Sequence, residues 1–297
     1  MNPFVLLILF CSTFMHAGWN LLLRHRRSQT PYFMFQMYVI VAAAGLAPMI
    51  VAGLLSESLP PKVWLCAAVS GVFSAVYSMA LAKGYTSADF TVVYPVARAL
   101  PVLMVAMGDM LLGRTPTAVG WLGMAAVTTG CFLAPLQSFR AFHPRVYFHR
   151  STLWMLLTAL GTVGYTLVDK AAVGFVRTGP ASAARYGYLY FAFTAVFYAG
   201  LWRLFEKKPS ASDAPRWTFA ALAALMTFGA YGLVLWAYQL VERASYVVAF
   251  RQFSIVIGVL LAFLIYKEKG KAVRLTAALL IVAGLVVIAL WGAGTGK

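Results

Sequence analysis

Tyr94-Pro-Val-Ala-Arg-Ala-Leu-Pro101 places two prolines and an arginine inside an apolar run from Phe90 to Leu112. That run is long enough to cross a bilayer, which takes about 20 helical residues. An arginine at mid-bilayer costs roughly 2.5–3.5 kcal/mol on insertion scales, so Arg98 requires a partner or an aqueous cavity in the folded chain. Pro101 lacks the N–H that would bond the Ala97 carbonyl, and Pro95 leaves Thr91 in the same position. In lipid such carbonyls are satisfied only by neighbouring helices, side chains or water. The stretch therefore predicts a broken helix, buried among others and lining a cavity.

Composition supplies the surroundings. Of 297 residues, 62% are hydrophobic and only 11% charged, with a mean hydropathy of +0.81. No water-soluble domain of this size could cover so much apolar surface, so an all-α integral membrane protein is expected. A net charge of +16 would suggest nucleic acid in a soluble chain. Here the basic residues cluster in short connections between apolar runs, where membrane topology accounts for them; the expected partners are lipid and a small molecule, with no nucleic acid. Cys11, Cys66 and Cys131 lie inside apolar runs without paired spacing or a nearby cluster of His or carboxylates, so they read as packing residues and no metal site is expected. Phosphate-cradling glycine loops, zinc spacings and nucleophile elbows are missing, so neither a cofactor nor enzyme chemistry is expected.

Ten candidate spans fall near 4–23, 32–55, 63–82, 90–112, 117–136, 152–170, 184–204, 217–240, 246–266 and 273–291. No basic n-region precedes Phe4, so the first segment is expected to remain as a helix and not to act as a cleaved signal. A basic, aromatic connector at 139–151 divides a first unit, 1–138, from a second, 152–297. Fifteen Lys and Arg lie in or beside the odd-numbered connections, against six in or beside the even-numbered connections and termini. This bias places the odd connections in the cytoplasm and both termini outside. The units also resemble each other: Ala88 to Arg98 aligns with Ala244 to Ser254, and Thr117 to Cys131 with Lys271 to Leu285. With five spans each, the second unit crosses the membrane with opposite polarity, the arrangement of two inverted five-helix repeats around a site at mid-membrane.

Arg251 aligns with Pro95, one turn from the position of Arg98. Two intramembrane arginines cost roughly 5–7 kcal/mol unpaired, comparable to a domain's net stability. Asp109 lies eleven residues along the same helix from Arg98, about 16 Å at the helical rise, too far to pair. Either the arginines face a wet cavity and bind an anionic group, a carboxylate, phosphonate or phosphate, or they bond to freed carbonyls and tyrosine hydroxyls and hold helices together. Arg251, nearer its helix end, could also snorkel. In the first span His16, Trp19 and Asn20 share one face, predicted to point inward. His16 is the proton-coupling candidate, with a packing role as the alternative; Trp19 reads as a cavity wall or an interface anchor. Tyr77, Tyr94, Tyr165, Tyr231, Trp236 and Tyr238 recur on the spans that would border a cavity, where rings can stack on a substrate or its ammonium group. Asp169-Lys170 ends the sixth span and reads as a local ion pair or a part of coupling.

The chain resembles the EamA-type ten-helix members of the drug/metabolite transporter superfamily. The resemblance rests on His16-Ala-Gly-Trp-Asn20, on Ala80-Leu-Ala-Lys-Gly-Tyr-Thr-Ser-Ala88 leading into Tyr94-Pro-Val-Ala-Arg98, and on Glu268 with its following helix. It implies a basket of two inverted repeats with a cavity lined by helices 1, 3, 4, 6, 8 and 9. Such proteins move amino acids, nucleotide sugars, other metabolites or drugs, often outward and commonly coupled to protons or exchange. Arg114 stands where the first-repeat counterpart of Glu268 is usually acidic. The arginine in the fourth span is similar to EamA-type proteins associated with phosphonate metabolism. The resulting expectation is a secondary transporter, an exporter of the bacterial inner membrane, monomeric or homodimeric, for a small anionic metabolite such as an amino acid or organic acid. Alternatives are a phosphonate carrier, a drug efflux pump and a non-transporting sensor or subunit.

Overall fold

A computed structural model describes residues 1–24, 30–87, 90–134, 136, 138–139, 152–207, 216–257, 260 and 271–292. All regular structure among them is helical. The helices are α1 (Pro3–Arg24), α2 (Thr30–Leu55), α3 (Pro61–Ser87), α4 (Phe90–Leu111), α5 (Ala118–Leu133), α6 (Thr152–Ala172), α7 (Pro180–Phe205), α8 (Trp217–Leu240), α9 (Ala244–Arg251) and α10 (Lys271–Trp291). Seven are long and apolar enough to cross a membrane. The others are α4, which carries Arg98 and Asp109, and α5 and α9, described over 16 and 8 residues. The connector at 139–151 and Glu268 lie outside the described residues, apart from Phe139.

Buried polar side chains are set among apolar ones inside the bundle, and large apolar side chains cover its outside. On α1, Phe4, Leu7, Phe10 and Phe14 face outward, while Ser12, His16 and Trp19 are buried. On α10, Leu275, Leu279, Val286 and Leu290 face outward, and Ile281, Gly284 and Ile288 face in. Lipid rewards this arrangement, because only internal partners can satisfy polar atoms there. Thr158 and Thr162 accordingly bond back to the carbonyls of Trp154 and Thr158, at 2.7 and 2.9 Å.

α3 packs on α6 and α7, α1 on α8, α2 on α7, α4 on α6 and α9, and α5 on α10. Three of these pairings join helices of equal rank in the two halves, and each is antiparallel. Tyr188 and Tyr198 of α7 donate to the carbonyls of Ala42 and Pro31 of α2, at 3.1 and 2.9 Å. In α5 and α10, Gly123 meets Gly284 while Gly130 meets Ala277. A Cβ on Gly284 would stand 2.5 Å from the Gly123 carbonyl oxygen, so the two backbones touch there. In α4 and α9, Asp109 meets Ala244 while Arg98 meets Arg251. The connections sort likewise: Arg185 at the start of α7 donates to the Glu57 carbonyl, and Arg243 before α9 to the Thr115 carbonyl. At the other ends of α3 and α7, Lys83 pairs with Glu206 at 2.6 Å.

The break expected at the two prolines falls elsewhere. α4 runs unbroken from Phe90 to Leu111 through Pro95 and Pro101. It ends where Gly113, with φ 75°, lets the Arg114 N–H bond the Asp109 carbonyl at 2.7 Å and its own N–H bond Met110 at 3.0 Å. The discontinuity lies in α9, at Gln252, where no proline or glycine stands. There the chain tightens: the Ile255 N–H bonds the Gln252 carbonyl at 2.9 Å instead of reaching back to Arg251. The Arg251 carbonyl is thereby released for other donors.

Candidate functional site

Arg98 takes up that released carbonyl. Its Nη2 donates to the Arg251 oxygen at 3.0 Å and to Ser254 Oγ at 2.6 Å, and its Nη1 stands 2.6 Å from His16 Nε2. One guanidinium thus ties α4 to the turn in α9 and to α1, and the planar fork of an arginine suits three partners in different directions. Ser254 also donates to the Arg251 carbonyl, at 2.9 Å.

His16 faces a donor at each ring nitrogen. Trp19 Nε1 lies 3.1 Å from Nδ1, with the two rings edge to face, and Arg98 Nη1 lies at Nε2. Neither partner can accept, and a neutral imidazole offers one bare nitrogen. Trp19 Nε1–H donates to Nδ1 and Arg98 Nη1 closes on Nε2, so a single neutral tautomer satisfies only one of the two contacts at a time. Trp19 is 5% exposed, a wall residue rather than an interface anchor. Asn20 turns its amide back onto the His16 carbonyl at 2.7 Å.

Two small cavities adjoin this knot, about 20 and about 40 Å³, enough for a few waters. Asn20, Tyr77, Arg98, Tyr165 and Arg251 line the first. His16, Trp19, Tyr77, Tyr165, Tyr231 and Arg251 line the second. Met37 and Tyr38 of α2, and Tyr190 and Phe191 of α7, also reach the second cavity, so two helices beyond the expected six contribute. The rings form a continuous cluster: Tyr165 meets Tyr77, Tyr190 and Tyr231 edge to face, with centroids 5.6, 6.0 and 5.6 Å away. Of the sequence candidates, Trp236 stands apart, because α8 turns it outward onto Phe4 of α1. The Tyr94 side chain lies outside the described residues.

Arg251 is 8% exposed and borders both cavities, buried rather than snorkelling. Its guanidinium carbon sits 5.5 Å from the centre of the Tyr231 ring. Among the described residues it forms no ion pair. Asp109, expected from its spacing not to pair with Arg98, goes elsewhere: its carboxylate accepts from the Ala244 and Ser245 N–H groups at 3.2 and 2.8 Å, capping α9.

Asp169 and Lys170 do not pair with each other. Successive helical residues point about 100° apart, and here they diverge completely. Lys170 donates to the Tyr238 carbonyl at 2.6 Å and to that of Val241, capping the C-terminus of α8. Asp169 turns inward, with no exposure, and receives the phenols of Tyr186 at 2.5 Å and of Tyr231. Sequence placed it at the end of the sixth span, as half of a local ion pair with Lys170 or as a part of coupling. The signal that reveals it is tertiary, the convergence of tyrosines from α7 and α8.

No curated protein matches the chain. One solved protein crystal structure is 18% identical, covers 98% of this chain and 99% of its own, and superposes with a TM-score of 0.70, which establishes a shared fold. The model of the EamA-like transporter family matches twice, over residues 3–135 and 149–290. The two matches divide the chain into the halves whose equal-ranked helices pack together, and their family is one of membrane transporters: the chain belongs to the EamA-like transporter family, as a multi-pass membrane protein.

Proposed function

We propose that the chain is a secondary transporter that carries a small metabolite with an anionic group, an amino acid or an organic acid, by alternating access. The observation that carries this reading is Arg251: a buried guanidinium without an ion pair among the described residues, bordering two cavities beside Arg98. A guanidinium in that position binds a carboxylate bidentately. The Tyr77, Tyr165, Tyr190 and Tyr231 cluster offers ring faces to a substrate ammonium group. Cationic drugs suit the cavity poorly, since they would meet two arginines.

The antiparallel contacts of α2 with α7, α4 with α9 and α5 with α10 support two inverted five-helix repeats, with ten spans in all. Arg98 then works as the tie between repeats that must loosen for the cavity to open, because it joins α1 and α4 to α9. The bias of Lys and Arg supports odd connections in the cytoplasm of a bacterial inner membrane and both termini outside.

The test is a thermal-shift screen of purified protein against amino acids, organic acids and phosphonates, followed by counterflow of any stabilising compound in proteoliposomes. Arg251→Ala is expected to abolish both stabilisation and counterflow. Unchanged counterflow in that variant refutes anion recognition by Arg251, and binding without counterflow refutes transport.

A further inference from the structure

Asp169 is a carboxylate buried in the middle of a helix bundle and held only by neutral donors. Tyr186 of α7 donates to Oδ1 and Tyr231 of α8 to Oδ2, and the Ser70 hydroxyl of α3 faces the same group. Among the described residues it has no ion pair, and the lysine beside it in sequence is committed to capping α8. A phenol is both donor and acceptor. It can solvate the anion, and by rotating its hydroxyl it can accept from the protonated acid, so both charge states fit without repacking.

His16 offers no such latitude. Its protonated ring would aim N–H at the Trp19 and Arg98 donors on both sides. A proton can therefore reside on His16 only after Arg98 has left, whereas Asp169 can take one in place.

Tyr231 joins this carboxyl to the substrate cavity. Its hydroxyl bonds Asp169 while its ring lies against the Arg251 guanidinium and lines the cavity with it. The other titratable groups around Asp169 are Cys66 on α3, Tyr190 on α7, Tyr238 on α8 and Arg251 on α9. Arg251 is the cation of this set. An anion seated on Arg251 neutralises the charge that favours the ionised carboxylate and adds a like charge near it, so anion binding and proton binding at Asp169 reinforce each other.

We propose that Asp169 is the proton-binding residue of the transport cycle and that it loads its proton together with the anionic substrate, so that proton and anion cross in the same direction. This rests on the anion reading of Arg251. The proton enters as the anion does and leaves with it on the far side, with no bond made or broken beyond the O–H of the carboxyl.

The test is pH-difference infrared spectroscopy of the full-length protein in detergent, without and with pyruvate, L-serine or aminomethylphosphonate as probes. A carbonyl band of a protonated buried carboxylic acid is expected to titrate with pH, to vanish in Asp169→Asn and to persist at a shifted frequency in Asp169→Glu. A band unchanged in Asp169→Asn overturns the proton site. If the asparagine variant does not fold, an unshifted band in Asp169→Glu overturns it equally. A probe that binds, by thermal shift, is expected to extend the protonated form to more alkaline pH by roughly one unit, a tenfold change in proton affinity. A binding probe that leaves the midpoint in place overturns co-movement. The proton arm contains no substrate, so failure of the anion reading shows only as the absence of any binding probe.

Discussion

Replacing Arg98 with lysine keeps the charge and removes the fork. The guanidinium reaches three partners on two other helices: His16 Nε2 at 2.6 Å, the Arg251 carbonyl at 3.0 Å and Ser254 Oγ at 2.6 Å. A single ammonium on a flexible stem can satisfy one direction, α1 or α9, but not both. The Arg251 carbonyl would still hold the Ser254 hydroxyl at 2.9 Å, so that acceptor is not orphaned. One contact is therefore lost if the ammonium keeps α9, and two if it keeps α1. Interhelical polar contacts in membranes average about 0.6 kcal/mol and reach about 1.7 kcal/mol, which puts Arg98→Lys at about 1–3 kcal/mol destabilising. In a chain of this size that corresponds to a fall of roughly 2–12 °C in Tm. The assay is tryptophan fluorescence of purified protein in detergent during heating, with Trp19 beside His16 as one reporter. A Tm within about 1 °C of the parent would refute the clamp between α1, α4 and α9.

Two further perturbations test the packing. Gly284→Leu must push apart α5 and α10, since even a Cβ would lie 2.5 Å from the Gly123 carbonyl oxygen and 2.9 Å from a Val127 methyl; monodisperse protein on size exclusion is expected to be lost. Gly53→Ala, where nothing lies within 4 Å, is expected to behave as the parent, and equal yields from both would refute the contact. Asp109→Ala removes the cap of α9 and is expected to cost about 0.5–2 kcal/mol, with Asp109→Asn milder because its amide oxygen still accepts. A thermal shift equal in the two variants would contradict the capping geometry.

Sequence by itself determined the class of this protein and most of its helix boundaries. The segment expected at 217–240 is the helix Trp217–Leu240, and that expected at 90–112 is the helix Phe90–Leu111. These are legible because lipid imposes its demand on each segment separately: about 20 residues must bury their backbone polarity in one helix, whatever the neighbours. The inward face of α1 was legible for the same reason, since His16, Trp19 and Asn20 follow from helical spacing alone. Tertiary structure decided the partners. Arg98 meets His16 across 82 residues and Ser254 across 156, distances over which no local rule operates. It also moved the helix break from Pro95 and Pro101, which neighbouring helices tolerate, to Gln252, where no breaker stands and only the pull of Arg98 and Ser254 on one carbonyl marks the spot. Asp169 shows the same division: its place in the chain paired it with Lys170 at the end of a span, and two tyrosines from other helices took it inward instead.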